Sequence, residues 1–177
     1  MPTRVVYYAA MSLDGRIADS NHDISFLQTL ARGPAEDYST FYESVDSLIL
    51  GARTWDFMVL HDSWPYSGKP TWIVTHAEEL APLEGAVVET YAGDLGELVR
   101  RIGDRGYERT WLVGGGDLAG QLLEADLLDE LILTVAPTLV GRGPALADGE
   151  FPLREFTLVE VSQWSENGAR LRYERRR

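Results

Sequence analysis

The sequence predicts an α/β fold in which a mostly parallel sheet is completed by a C-terminal antiparallel hairpin. Short apolar runs alternate with helical patterns over most of the chain, which is typical of strands joined by helices. Near the C-terminus, Asn167-Gly168 separates two strand-like segments, and this dipeptide is a strong hairpin signal. With 177 residues, the chain is expected to form a single domain over residues 1–177.

The strands are predicted from apolar runs without the alternation of a half-exposed strand, as in parallel sheets covered on both faces. These runs span residues 5–11, 47–50, 71–74 and 110–113, and a weaker run spans 87–90. A longer run covers 130–140, and the hairpin strands cover 156–164 and 169–174. In the last segment Ala169, Leu171 and Tyr173 alternate with charged residues, so we expect these three to form its buried face.

The helices are predicted from apolar residues that recur at spacings of three and four. One such set is Leu95, Leu98, Val99 and Ile102, preceded by Asp94 and Glu97 in the pattern of a capping box. The other two sets are Tyr38, Phe41, Tyr42 and Val45, and, more loosely, Leu118, Leu122 and Ala125.

Composition excludes several classes of function. The formal net charge of −12 disfavours nonspecific binding to nucleic acid or to an anionic membrane. The chain has no cysteine, which excludes disulfides and thiol nucleophiles, and its three histidines are too far apart to predict a metal site. The N-terminus does not resemble a signal peptide, and no apolar segment is long enough to span a membrane. We therefore expect a cytoplasmic enzyme or binding domain with a small-molecule partner.

Three predicted strand ends carry residues suited to an anionic ligand. The first has Gly51, Arg53 and Thr54, the second has Thr75 and His76, and the third has Gly114, Gly115, Gly116, Asp117 and Leu118. Ligands of open α/β sheets bind at the carboxyl ends of strands, where helix N-termini offer N–H groups and glycines permit close approach. Three such turns suit a ligand with several phosphates.

Other interpretations of the same residues stay open. Thr75 with Glu78 is explained equally by a capping box, Gly51 by a tight turn, and Arg53 by a solvated surface position. Gly114, Gly116 and Ala119 also fit a variant Rossmann fingerprint, although no acid ends a strand about 20 residues later.

Two acidic residues are candidates for substrate contacts. Asp37 shares a helical stripe with Phe41 and Val45, so its carboxylate lies beside an apolar face, where an unpaired charge is costly. Asp37 is either a first-turn acid favoured by the helix dipole or a site carboxylate that binds or protonates a ring nitrogen. Asp14 is open to a similar choice, because Asp14-Gly15 is also an ordinary turn signal.

Six segments of the chain, taken in their order and spacing, resemble the dihydrofolate reductase superfamily, most closely its RibD C-terminal-like branch. They are Ala9-Ala-Met-Ser-Leu-Asp-Gly-Arg-Ile-Ala18, Gly51-Ala-Arg-Thr54, Trp72-Ile-Val-Thr75, Val113-Gly-Gly-Gly-Asp-Leu118, Leu128-Asp-Glu-Leu-Ile-Leu-Thr-Val-Ala-Pro-Thr-Leu-Val-Gly141 and the final hairpin. The resemblance implies a three-layer αβα, dihydrofolate-reductase-like mixed sheet with NADPH as hydride donor. It also implies a homodimer and a cis peptide bond between Gly114 and Gly115.

The resemblance further assigns roles to residues. Ala10 and Ile17 would lie near the nicotinamide, and the turns at 51–54 and 114–118 would bind the phosphates. Arg53, with Thr75 and His76, matches the positions that meet the adenosine 2′-phosphate, so a preference for NADPH over NADH is expected.

Asp37 falls near the family's ring-binding acid, and Thr134 would hydrogen-bond it from a neighbouring strand. Apolar neighbours are expected to raise the pKa of Asp37. Lys69 lies near the position of an arginine that binds the substrate's carboxylate, and Asp14 and Phe41 would complete the substrate pocket.

The resulting hypothesis is an NADPH-dependent reductase that resembles 5-amino-6-(5-phosphoribosylamino)uracil reductase or dihydrofolate reductase. It would pass hydride to a pterin-like or pyrimidine-like ring in riboflavin- or folate-related metabolism. The loop between residues 19 and 34 lacks the Trp-x-x-Pro pattern of folate reductases, so folate is not the favoured substrate. Two alternatives stay open: a non-enzymatic nucleotide- or pterin-binding module, and an NAD-dependent Rossmann dehydrogenase.

Overall fold

The computed structural model describes residues 3–34, 37–66 and 68–176. The strands are β1 (Arg4–Met11), β2 (Ser47–Gly51), β3 (Thr71–Val74), β4 (Val88–Tyr91), β5 (Arg109–Gly114), β6 (Leu128–Val135), β7 (Phe156–Gln163) and β8 (Ala169–Arg175). The helices are α1 (Asp37–Glu43), α2 (Ala52–Leu60), α3 (Leu95–Asp104) and α4 (Gly116–Glu124), with a 3-10 turn at Ser25–Thr29.

All the strands belong to one sheet in the order β4-β3-β2-β5-β1-β6-β8-β7. β1 to β6 pair in parallel, and β8 runs antiparallel to both β6 and β7. The predicted mostly parallel sheet and C-terminal hairpin are therefore confirmed. The Rossmann alternative is wrong, because β1 lies between β5 and β6 rather than between the second and fourth strands.

Two apolar clusters cover the two faces of the sheet. Val5 of β1 packs with residues of α3 and α4, whereas the next residue, Val6, packs with Phe41 of α1 and Trp55 of α2. Successive strand residues point to opposite faces, so the helices form layers above and below the sheet. This confirms the predicted three-layer αβα architecture.

Several local predictions are tested directly. Asp94 caps α3 as expected, because its Oδ1 accepts a 2.8 Å hydrogen bond from the backbone N–H of Glu97. The capping box considered for Thr75 and Glu78 is wrong, since the described residues between β3 and β4 form no helix and the Thr75 hydroxyl accepts from the backbone N–H of Ala77 at 3.1 Å. The run at 130–140 is a strand only to Val135, and the Pro137 that follows has no N–H to extend the ladder.

Within the described ranges, the fold contains no helix long and apolar enough to cross a membrane. The same residues contain no group of three or more His, Cys, Asp or Glu side chains that could hold a metal ion.

Candidate active site

Two glycine turns adjoin each other at the carboxyl edge of the sheet. β2 ends at Gly51 and β5 ends at Gly114, and Leu50 is the register partner of Gly114. A Cβ atom on Gly51 would lie 3.5 Å from the backbone nitrogen of Gly115, so the two turns are in contact. The Gly114–Gly115 peptide bond is cis, which confirms the prediction made from the resemblance.

The two helices that start at these turns have no side-chain cap. Gly51 precedes α2 and Gly115 precedes α4, and neither position supplies a side chain to the first N–H groups. Asp94 supplies such a cap to α3, so the omission is a local feature of this edge. Uncapped N–H groups and the positive ends of two helix dipoles make the edge a donor surface for an anion.

Side chains next to the two glycine turns include a cation, an anion and a hydroxyl. The Nη1 of Arg53 lies 2.9 Å from the Oδ2 of Asp117, and both side chains are exposed. This ion pair joins the first turn of α2 to the first turn of α4. A Cβ atom on Gly114 would lie 3.3 Å from the Oγ1 of Thr54, so the Thr54 hydroxyl borders the same turns.

Thr75 and His76 follow β3 at the same edge of the sheet, because Val74 is the register partner of Gly51. His76 is exposed, and Thr75 is half-buried. Leu118 is buried beneath the turn, so its contribution there is limited to its backbone.

A second cluster is built around Asp37 at the start of α1. Its carboxylate accepts hydrogen bonds from the Tyr8 hydroxyl at 2.9 Å and from the Trp164 indole N–H at 3.1 Å. Arg170 donates through Nη1 to Oδ1 at 3.2 Å and through Nη2 to Oδ2 at 2.7 Å. The Arg170 side chain is 10% exposed and the Asp37 side chain 25%, so this ion pair is largely shielded from water.

Thr134 reaches Asp37 only through Arg170. The Thr134 hydroxyl accepts a 2.9 Å hydrogen bond from the Nε of Arg170, so the predicted direct bond between Thr134 and Asp37 is wrong. Thr134 is the register partner of Ala10 on one side and of Arg170 on the other. These three residues therefore form a row across β1, β6 and β8 on the face covered by α1.

The expected rise in the pKa of Asp37 is also wrong. Burial acts to raise this pKa, but hydrogen bonds from Trp164, Arg170 and Tyr8 stabilise the charged form and leave the pKa below its usual value. The apolar stripe places the carboxylate near Phe41, as expected, yet polar groups supply its immediate contacts. Asp37 is consequently ionised at neutral pH and has no proton to donate.

The three residues predicted to contact substrate have other partners in the structure, and Phe41 and Asp14 are the first two. Phe41 is buried and stacks on Tyr8, with ring centroids 4.1 Å apart, so it supports the cluster from below. Asp14 accepts from the backbone N–H groups of Val140 at 3.0 Å and Gly141 at 2.7 Å, and its carboxylate therefore ties two loops together. A hydrogen bond from the Ser12 hydroxyl, together with these two backbone bonds, lowers the pKa of Asp14.

Lys69 lies at the opposite edge of the sheet from the glycine turns, immediately before the start of β3. Its Nζ donates to the backbone carbonyl of Val45 and lies 4.8 Å from the centroid of the Tyr42 ring. Lys69 is therefore distant from the glycine turns, and its role in substrate binding stays a prediction.

The residues that the sequence analysis missed are Tyr8, Trp164 and Arg170. Arg170 belongs to the face of β8 that was expected to be exposed, yet it is buried. The sequence feature that could have predicted a residue such as Arg170 was Asp37, because a carboxylate beside an apolar stripe needs a cationic partner. Ile17, expected near the nicotinamide, is half-buried and donates its backbone N–H to the carbonyl of Pro144 at 3.0 Å.

Comparison with known proteins identifies relatives that match most of the chain. The RibD C-terminal domain family matches residues 60–168. The uncharacterized protein YwjB of Bacillus subtilis is 32% identical over 144 residues, which are 81% of this chain and 82% of that protein. A candidate riboflavin biosynthesis protein from Shewanella sp. PV-4 superposes with a TM-score of 0.90 at 26% identity, covering 99% of this chain and 100% of that chain.

The same fold occurs in a dihydrofolate reductase. The Enterococcus faecalis enzyme, solved in complex with NADP(H), superposes with a TM-score of 0.62 at 18% identity and covers 100% of both chains. At this identity the likeness establishes the fold alone.

Proposed function

The chain belongs to the RibD C-terminal domain family, and we propose on this premise that it is an NADPH-dependent reductase of a pterin-like or pyrimidine-like small molecule. The observation that carries the proposal is the contact between two uncapped glycine helix starts at one sheet edge. Such an edge binds phosphates through backbone N–H groups and needs no cluster of basic side chains. This suits a protein whose net charge is −12.

The residues at the edge fit a phosphorylated dinucleotide. The first N–H groups of α2 and α4 would bind the pyrophosphate, and the Thr54 hydroxyl would add one donor. Arg53 would exchange its ion pair with Asp117 for the adenosine 2′-phosphate, with Thr75 and His76 on the neighbouring strand end. Bound NADPH would supply a hydride, and the dihydrofolate reductase of the same fold was solved with NADP(H).

The Asp37 cluster would bind the ring that is reduced. Ala10 and Thr134 lie in the same row as Arg170 and would form the floor of the pocket. Asp37 would accept a hydrogen bond from a ring N–H and orient the ring, which is how a protein accelerates a cofactor's reaction by positioning. Because the pKa of Asp37 is lowered, its role is orientation and not proton donation.

The homodimer expected from the resemblance has a candidate surface. β7 is an edge strand of the sheet, and Leu158, Val159 and Val161 on it are exposed. An apolar edge strand is a ready surface for another copy of the chain. We propose that β7 lies in the dimer interface.

The test has two parts, cofactor titration and turnover. We expect NADPH to bind at least about 10-fold more tightly than NADH, which corresponds to one charge-assisted hydrogen-bond pair. Oxidation of NADPH, followed by its absorbance, is then measured with a panel of pteridine and pyrimidine rings. Equal affinities for the two cofactors would refute the NADPH assignment, and tight NADPH binding without oxidation by any ring would favour the non-enzymatic binding module.

A further inference from the structure

We propose that Arg170 determines which edge of a heterocyclic ring the Asp37 site accepts, an inference that rests on the proposed ring-binding role of this site. The side chain is placed by the C-terminal hairpin, since Arg170 lies on β8 directly opposite Thr134 of β6. It packs against two aromatic rings, with its guanidinium carbon 4.9 Å from the centroid of Tyr8 and 5.4 Å from that of Trp164. Such packing fixes the plane of the guanidinium.

One oxygen of Asp37 is already occupied by neighbouring donors. Oδ2 already accepts from Tyr8, Trp164 and the Nη2 of Arg170. Oδ1 accepts only from the Nη1 of Arg170 among the described residues. A carboxylate has about four lone-pair positions, so one acceptor position on Oδ1 remains.

Arg170 also adds one donor beside that acceptor. Its Nε–H is bonded to Thr134, and its Nη2 is bonded to both Asp37 and Tyr8. Nη1 has two N–H groups, and the described residues provide a partner for one of them, Oδ1 of Asp37. In a two-pronged Arg–carboxylate pair, the outer N–H of Nη1 and the outer lone pair of Oδ1 lie on the same side.

The free positions of the Arg170–Asp37 pair are therefore one N–H donor next to one acceptor oxygen. This arrangement matches a ring edge in which an N–H stands next to a C=O, as in a lactam or an imide. A protonated amidine edge presents two adjacent N–H donors and needs two acceptors, whereas this site offers one acceptor next to a donor. Leaving a ring donor without an acceptor in a shielded site is unfavourable, so the site discriminates against the protonated amidine edge.

Two ligands on the same bicyclic ring test this inference. Pteridine-2,4-dione presents N–H groups next to C=O groups, and 2,4-diaminopteridine, titrated at a pH at which its ring is protonated, presents an edge with two adjacent N–H donors. We expect the wild-type protein to bind the dione at least about 10-fold more tightly in fluorescence titrations. In Arg170→Leu the carboxylate of Asp37 loses its cationic partner and the competing N–H donor, and Oδ1 gains a second free acceptor position, so the preference is expected to reverse in favour of the protonated diamine.

Controls separate this role from a structural one. Arg170→Lys keeps the positive charge but loses the fork, so we expect it to reduce the preference for the dione without reversing it. If Arg170→Leu does not fold, as judged by circular dichroism, the ratio of dione to diamine affinity in the wild type and in Arg170→Lys still tests the inference. A wild-type preference for the diamine, an unchanged ratio in the folded variants, or no binding of either ring would overturn the inference.

The NADPH affinity of each variant distinguishes this inference from the proposed function. It is expected to be unchanged, because the glycine turns do not contact Arg170. A protein that shows the ring preference but does not bind NADPH would refute the reductase and leave the role of Arg170 standing.

Discussion

Replacing Asp37 by Asn should destabilise the protein far more than replacing Asp104 by Asn. Both carboxylates lie 2.7 Å from an arginine nitrogen, Asp37 from Arg170 and Asp104 from Arg100. The difference is burial, since the Arg100 and Asp104 side chains are 63% and 65% exposed whereas Arg170 is 10% exposed. Asp104→Asn is therefore a matched control for geometry.

The expected loss in the free energy of unfolding follows from the burial of each ion pair. Losing one partner of a buried ion pair costs about 3–5 kcal/mol, and the partial exposure of Asp37 reduces this to roughly 2–3 kcal/mol. An exposed pair within one helix contributes about 0.3–0.5 kcal/mol. In thermal unfolding at pH 7, these values correspond to a fall in Tm of about 4–12 °C for Asp37→Asn and at most about 2 °C for the control.

The lowered pKa of Asp37 predicts how the stability difference between wild type and Asp37→Asn changes with pH. The folded-state pKa of Asp37 is lowered, so its contribution to the free energy of unfolding is complete above the unfolded-state pKa of about 3.9. That contribution is lost as the pH falls through the lower folded-state value, and the gap between wild type and Asp37→Asn should narrow in acid. Equal losses for the two variants at pH 7, or a gap that does not change in acid, would refute this reasoning.

Three other predictions use separate parts of the molecule. Arg53→Ala should reduce the preference for NADPH over NADH by about 10-fold in cofactor titrations, with the exposed Arg100→Ala leaving it unchanged. Gly120→Ala should lower Tm strongly or abolish folding, because the added Cβ would lie 1.7 Å from the carbonyl oxygen of Asp148; an unchanged Tm would contradict this packing. Val161→Glu should convert a dimer to a monomer in light scattering after gel filtration, and a mass unaffected by the charge would exclude β7 from the interface.

Local signals made most of the fold predictable. The cap at Asp94 uses a residue three positions away, and the hairpin turn is closed by a 2.8 Å hydrogen bond from the backbone N–H of Trp164 to the carbonyl of Gly168. The end of β6 was misplaced because it depends on a distant contact. There the backbone N–H of Ala136 donates to the carbonyl of Met11 at 2.7 Å, immediately before Pro137.

The phosphate-binding edge was predictable because glycine-rich turns after strands are visible in the sequence. The Asp37 cluster was only half predictable. Its partner Arg170 is 133 residues away, and in an alternating strand an arginine is expected to face solvent. Only the register of β6 with β8 brings Arg170 next to Thr134 and over Asp37.

The most direct test of cofactor binding at the glycine turns is a backbone-amide NMR titration of the isotope-labelled protein with NADPH. Binding by the uncapped helix starts predicts the largest shifts at the amides of residues 51–54 and 114–118, at the carboxyl edge of β2 and β5. The opposite edge has a surface cleft of about 420 Å³ lined by Trp64, Tyr66, Lys69, Arg105 and Tyr107, whose amides should not move. Shifts centred on that cleft, or no shifts at the two glycine turns at saturating NADPH, would contradict the assignment.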